Sequence, residues 1–235
     1  MRLDKFISSQ RPDLSRSAVK ELCRKGRITV NGETVKDPGK AIDENNDKVC
    51  AAGEPVTYRE HIYIMLNKPA GVICATKDRL TETVLELIPP ELRRSGLFPA
   101  GRLDKDTEGF VLITDDGELA HKMLSPKSHV PKTYLVRLEK PLSAGTVPLF
   151  AQGMTIDGGE QCMPAELTPS PDPCECSLVL HEGKFHQVKR MFAAAGNKVV
   201  YLKRVRIGAL NLDEKLPPGG CLEILHKDVE KLLAR

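Results

Sequence analysis

The stretch SRSAVKELCRKGRITVNGETV, Ser15–Val35, holds a helix with both ends marked and a hairpin with its turn marked. Ser15 suits an N-cap, because its hydroxyl can accept from an early helical N–H, and Gly26 suits the left-handed residue that follows a last turn. Between them Ala18, Val19, Leu22 and Cys23 fall on one arc. Arg16, Lys20 and Arg24, four apart, line the neighbouring arc, so one side of the helix packs and the next is cationic. Beyond Gly26 the residues alternate as short strands around Asn31-Gly32, a dipeptide that supplies the positive φ of a tight hairpin turn. Leu3, Phe6 and Ile7 recur at helical intervals upstream, which predicts a second short helix.

Charge singles out the same region. Residues 1–40 hold ten Lys/Arg against five acids, an excess of five, whereas the 235-residue chain as a whole carries only +3. A basic end on a near-neutral body suggests a polyanion-binding module joined to something with another task, the alternative being a solvated charged face. Two short helices and a hairpin with this stripe resemble the S4 RNA-binding module. The resemblance implies an S4-like domain at residues 1–56, with Arg2, Arg16, Lys20, Arg24 and Arg27 facing RNA. Cations at helical intervals follow a phosphate backbone without reading base edges, so such a surface positions RNA and does not select sequence.

Residues 51–61, AAGEPVTYREH, mix Gly, Pro and charge without periodicity and read as a linker, leaving residues 61–235 as a second domain. There IYIMLNKPAGVICAT predicts a strand, a Pro-Gly turn and another strand, and TYLVRLEKPL and CSLVLHEGKF add further strands. DDGELAHKML predicts a helix capped from Asp115, three before Glu118, and HQVKRMFAAAGN one with Val188, Met191, Phe192 and Ala195 on a common face. Strands outnumber helices, so the expected class is α+β, a mixed and mainly antiparallel sheet with flanking helices.

Composition excludes several functions. With 40% hydrophobic and 4% aromatic residues and no Trp, the chain can build a core but not a broad aromatic stacking surface. No apolar window approaches a membrane span and the first residues are charged, so a soluble cytoplasmic protein is expected. Seven scattered Cys lack a zinc-site pattern, and His181 and His186 stand five apart where a zinc-protease helix needs four. Reduced thiols and no metal are the expectation.

The run GRLDKDTEGF, residues 101–110, concentrates charge just ahead of an apolar strand, FVLIT. Loops entering a rigid sheet are where chemistry collects. By itself Asp104 could cap a turn, Arg102 could pair with an acid, and Asp106, Glu108, Asp115 and Asp116 could suggest a magnesium-dependent nuclease. The order of GRLDKDTEG, KTYLV (132–136) and EGKFHQVKRMF (182–192) resembles the pseudouridine synthases of the RsuA type, in which an S4 module is usual, and NKPAGV, TDDGELAHKMLSP and VVYLKRVRIG extend the likeness to the branch acting on ribosomal RNA.

That resemblance implies isomerisation of uridine to pseudouridine with Asp104 as the catalytic carboxylate, Lys189 as the cation beside it and Tyr134 stacked on the target base. It also implies that Arg102 fills the place of an extruded uridine. Such a reaction imports no group, so no cofactor is expected. The implied partner is small-subunit (16S) ribosomal RNA, within a partly assembled subunit, with large-subunit (23S) RNA as the alternative and the protein a monomer. A non-catalytic ribosome-assembly factor on the same fold is the competing class. The chemical role of the aspartate stays open between addition to the sugar, addition to the base and proton abstraction.

Overall fold

The computed structural model describes residues 1–234. Two compact units emerge, one of Met1–Ile62 with Ile88–Leu97, the other of Tyr63–Leu87 with the chain from Phe98 onward. In the first, helices α1 (Leu3–Gln10) and α2 (Arg16–Arg24) precede a four-stranded antiparallel sheet of β1 (Ile28–Val30), β2 (Glu33–Thr34), β3 (Val49–Ala51) and β4 (Glu54–Val56), in the order β2-β1-β3-β4. Ser15 caps α2 by accepting from the Ala18 amide, and Gly26 follows the helix at φ 66°. Asn31 (φ 54°) and Gly32 (φ 86°) make the expected turn, with Val30 opposite Glu33. Leu3, Phe6, Ile7, Val19, Cys23 and Ile28 are fully buried in one core.

Residues 51–56 are not linker. They form the β3–β4 hairpin, turning at Ala52 and Gly53 with φ of 53° and 91°. Three-residue strands are too short to show a period in sequence, and Pro55 is tolerated because β4 lies at the sheet edge, where its missing N–H leaves no ladder bond unmade.

The second unit is built on one large sheet. Its elements are β5 (Tyr63–Lys68), β6 (Phe98–Ala100), β7 (Glu108–Thr114), α3 (Gly117–Leu124), β8 (Lys132–Leu138), α4 (Thr146–Ala151), β9 (Met154–Ile156), β10 (Glu160–Cys162), β11 (Glu166–Pro169), β12 (Glu175–Leu180), α5 (Gln187–Ala194), β13 (Val199–Ile207), β14 (Leu210–Asn211), β15 (Cys221–Glu223) and α6 (His226–Val229). Strand order is β11-β12-β8-β13-β7-β5-β15, with β6 paired to β7 and β14 to β13. Every pairing is antiparallel except β7 with β13, so the class is the expected mixed, mainly antiparallel α+β.

Two local expectations fail. The segment after Pro69-Ala70-Gly71 is not a strand but a loop with a single bridge, Ile73 to Thr83, because β5 already has strand neighbours on both sides. The cap of α3 is Asp116, whose Oδ1 accepts from the Leu119 amide at 2.9 Å, and not Asp115. Asp116 wins because its other carboxylate oxygen also accepts from the Tyr63 hydroxyl at 2.8 Å, a partner 53 residues away that no local pattern could announce.

Candidate active site

β7 is buried along almost its whole length, as FVLIT requires, and the loop carrying Arg102 and Asp104 enters it. At the start of the strand Gly109 takes φ 101°, and a Cβ there would collide with the Arg204 carbonyl. Only Gly allows β7 and β13 to run this close. Thr107 N donates to Asp104 O at 3.1 Å and closes the loop into a turn.

Beneath this turn lies Lys68, the last residue of β5 and wholly inaccessible. Its ammonium donates to the carbonyls of Pro69 (3.0 Å), Lys105 (3.2 Å) and Thr107 (2.7 Å). Burial pulls its pKa down from the ordinary Lys value, partly offset by nearby anionic groups including Asp106, Glu108 and Asp104. A buried charge persists only when its hydrogen bonds are made, so Lys68 fixes the backbone from 105 to 107 as a clamp would. In sequence NKPAGV shows a strand end, a Pro-Gly turn and a family likeness but nothing that marks Lys68, since a buried Lys leaves no local signal.

The opposite wall comes from the segment 182–187 and α5. Gln187, buried, donates to Glu182 Oε1 (2.7 Å) and accepts from the Lys184 amide (2.9 Å), so one side chain folds the loop back on itself. His186 is thereby held in the left-handed region at φ 48°, its ring stacked on Phe185 at 3.8 Å. Its Nε2 lies 3.5 Å from Asp104 Oδ1.

Lys189, in the first turn of α5, reaches Asp104 Oδ2 at 3.2 Å and Asp106 Oδ1 at 2.5 Å. Burial alone would lower the Lys189 pKa, but hydrogen bonds to Asp106 and Asp104 outweigh it and hold the amine above its ordinary value. Lys189 in turn holds the Asp106 carboxyl below the usual range. Asp104 and Lys189 keep about a quarter of their side-chain surface, 25% and 26%, so the pair is sheltered yet open to a ligand.

A cleft of about 590 Å³ runs between these walls, lined among others by Arg102, Asp104, Tyr134, His186 and Arg204. Tyr134 sits on β8 opposite Leu178 and Arg204 and is buried except for the part facing the cleft. Arg102 is exposed at the rim, with no hydrogen bond or ion pair among the described residues. The fold therefore gathers Arg102, Asp104 and Tyr134 in one cavity and sets Lys189 against Asp104. His186, weighed in sequence only as a metal ligand, and Lys132, Arg204 and Lys68 were not among the expected site residues.

The basic residues of the first unit are less free than their spacing suggests. Asp4, fully buried, accepts from Arg2 (3.1 Å) and Arg16 (2.7 Å). Hydrogen bonding to Arg2 outweighs the burial of Asp4 and, with Arg16, holds its pKa at about 2. Arg24 pairs with Glu21. Lys20 and Arg27 have no such partner among the described residues, and all five cations remain solvent-exposed.

A carboxylate between a lysine ammonium and a histidine ring, at the head of a cleft with an aromatic wall, agrees with the relatives of this chain. The RNA pseudouridylate synthase family matches residues 62–194, and the S4 domain matches residues 1–48. This chain belongs to the RNA pseudouridylate synthase family. It is 45% identical over 235 residues to an uncharacterised RNA pseudouridine synthase, YtzG, of Bacillus subtilis, covering 99% of this chain and 98% of that one. Identity to the ribosomal small subunit pseudouridine synthase A is 42% for Salmonella typhimurium (97% and 98% covered) and 39% for Escherichia coli K12 (99% and 100%). A crystal structure titled pseudouridylate synthase superposes with a TM-score of 0.69 at 40% identity over 99% of both chains. The protein is thus an isomerase acting on RNA, with an S4 domain ahead of its synthase domain.

Proposed function

We propose that this pseudouridine synthase acts on small-subunit (16S) ribosomal RNA, with Asp104 as its catalytic carboxylate. The observation that carries the reading is the Asp104 carboxylate held between Lys189 and His186 in the cleft that Tyr134 also lines. Support for the substrate comes from relatives named for the small subunit at about 40% identity along almost the entire chain.

The reaction breaks the C1′–N1 bond of a uridine, turns the base and joins C1′ to C5. Asp104 serves as an anion, adding to sugar or base or removing a sugar proton, and Lys189 offsets the cost of keeping that anion in a sheltered cleft. Because both faces of the glycosidic bond must be reached, the uridine leaves its stack, at a cost of a few kcal/mol. Tyr134 receives the base, and the planar guanidinium of Arg102, unengaged at the rim, stacks where the uridine was. The isomerisation itself consumes no cofactor. The enzyme works as a monomer in the cytoplasm, on a partly assembled small subunit.

Asp104→Asn tests the assignment, since it keeps size and most hydrogen bonding but loses charge and basicity. Pseudouridine formation on small-subunit RNA falls below detection while the same variant still binds that RNA. Turnover at the unaltered rate would remove Asp104 from the chemistry, and modification confined to large-subunit RNA would overturn the substrate.

A further inference from the structure

The cleft contains cations that the roles above leave unused. Lys132 and Tyr134 stand two apart on β8, so their side chains leave the same face of the sheet, and both line the cleft. On the neighbouring strand β13, Arg204 lies opposite Tyr134 and lines the same cavity. Arg204 is only 5% exposed; its Nε donates to the Phe110 carbonyl at 2.8 Å, but its buried Nη2 has no hydrogen-bond partner. A second buried polar atom of the cleft wall, the Thr107 hydroxyl, is likewise unpartnered. Neither Lys132 nor Arg204 has an ion pair among the described residues, and burial first, then the charge of Arg204, brings the Lys132 pKa down to about 8.

Two like charges withdrawn from water side by side, with donors left over, destabilise the empty protein. They become favourable when an anion or strong acceptor arrives between them. Asp104 is engaged by Lys189 and His186. Glu182, the other cleft carboxylate, is engaged by Gln187, Lys184 and the Met163 amide.

We propose that Lys132 and Arg204, assisted by Thr107, hold the exocyclic oxygens of the target uracil and stabilise the negative charge the base carries once detached from the ribose. This inference rests on the assignment of the Asp104 cleft as the active site. When C1′–N1 breaks, the bonding electron pair stays on the base and spreads from N1 onto O2 and O4. The electron-poor C1′ is satisfied by bonding to the Asp104 carboxylate or by loss of a sugar proton to it. C5 then bonds to C1′, the borrowed carboxylate or proton is returned, the C5 proton leaves and N1 takes one up, so nothing is gained or lost overall. Donors fixed where charge develops, in a site screened from water, act on the transition state more than on binding. Depth favours the base over a phosphate, because a guanidinium nitrogen beyond the reach of solvent beside Tyr134 lies where a flipped base goes and not along the exposed path of a backbone.

The test is Lys132→Met, assayed for single-turnover rate and for RNA affinity on an RNA that the unaltered chain modifies and Asp104→Asn does not. That pair of controls holds the active-site assignment in place, so the Lys132 result bears on the inference alone. Expected is a rate loss on the order of 100-fold with affinity changed less than threefold, the size seen when one donor to a developing anion is removed, and recovery of most of the rate in Lys132→Arg. Should Lys132→Met lower the thermal midpoint, Lys132→Gln repeats the comparison at similar length with a polar end. Unchanged rate would overturn the inference. So would weakened binding with a shallower salt dependence and normal turnover at saturation, which would make the pair a phosphate hold.

Discussion

Replacing Lys68 by Met puts the clamp beneath the Asp104 loop to a quantitative test. Met fills a similar volume but cannot donate, so the carbonyls of Pro69, Lys105 and Thr107 lose their ammonium. The Lys105 carbonyl still accepts from the Gly71 amide at 2.8 Å, so two carbonyls, Pro69 and Thr107, are left short. An unsatisfied acceptor costs about 1–3 kcal/mol, a gross loss of about 4 kcal/mol. A neutral side chain no longer has to be withdrawn from water as an ion, which returns about 2 kcal/mol, leaving a net loss of about 2 kcal/mol. The Lys105 and Thr107 carbonyls bracket the turn that follows Asp104, so slack there moves the carboxylate relative to Lys189 and His186. A displacement of about 1 Å at a reacting group costs on the order of 100-fold in rate. Urea unfolding measures the first quantity, and single-turnover pseudouridine formation, in conditions where the variant is fully folded, measures the second. A variant with the unaltered urea midpoint and rate would refute the reasoning, because it would mean that these carbonyls find other donors at no cost.

Three further outcomes follow from particular contacts. Asp4 has its folded pKa depressed to about 2 from 3.8, so its stabilisation is fully present above pH 4 and is lost as pH falls through 2. It amounts to at most about 2 kcal/mol, since both guanidiniums are more than half exposed and screened. The protection of residues 3–24 against hydrogen exchange, taken relative to the intrinsic rate at each pH, should fall between pH 4.5 and 2, and Asp4→Asn should remove most of that dependence. Reversing Lys20 and Arg27 together, the two stripe cations without an intramolecular acid, should weaken RNA binding and reduce the slope of log affinity against log salt by about 1.5 without shifting the thermal midpoint; unchanged slope would mean the stripe does not touch phosphate. Gly109→Ala forces a Cβ into the Arg204 carbonyl at φ 101° and should cost about 3 kcal/mol or more by urea titration, with rate falling alongside because β7 carries the Asp104 loop.

The sequence by itself determined the local features. Ser15, Gly26 and Asn31-Gly32 specify their own backbone conformations through capping and positive φ, and α2 and the β1–β2 hairpin stand where those residues put them. Likewise FVLIT is apolar enough to require a buried strand whatever surrounds it. GRLD, KTY and HQVKR in that order, behind an S4-like module, carry the resemblance that implied the family and, through it, Asp104, Tyr134 and Lys189.

Tertiary structure decided what depends on residues far apart in the chain. Asp116 caps α3 in preference to Asp115 because Tyr63 stands beside it, and residues 51–56 form a hairpin because β3 already pairs with β1. Lys68 and Arg204 look in sequence like surface cations, since nothing within a few residues tells a solvated charge from one whose partners are carbonyls 39 and 94 positions away. Arg2 and Arg16 look like a free phosphate-binding pair until folding buries Asp4 between them. Backbone conformation is governed by sterics and hydrogen bonds over a few residues, which a sequence displays directly. The environment of a charge is governed by which distant groups the sheet brings against it, and that exists only once the strands have paired.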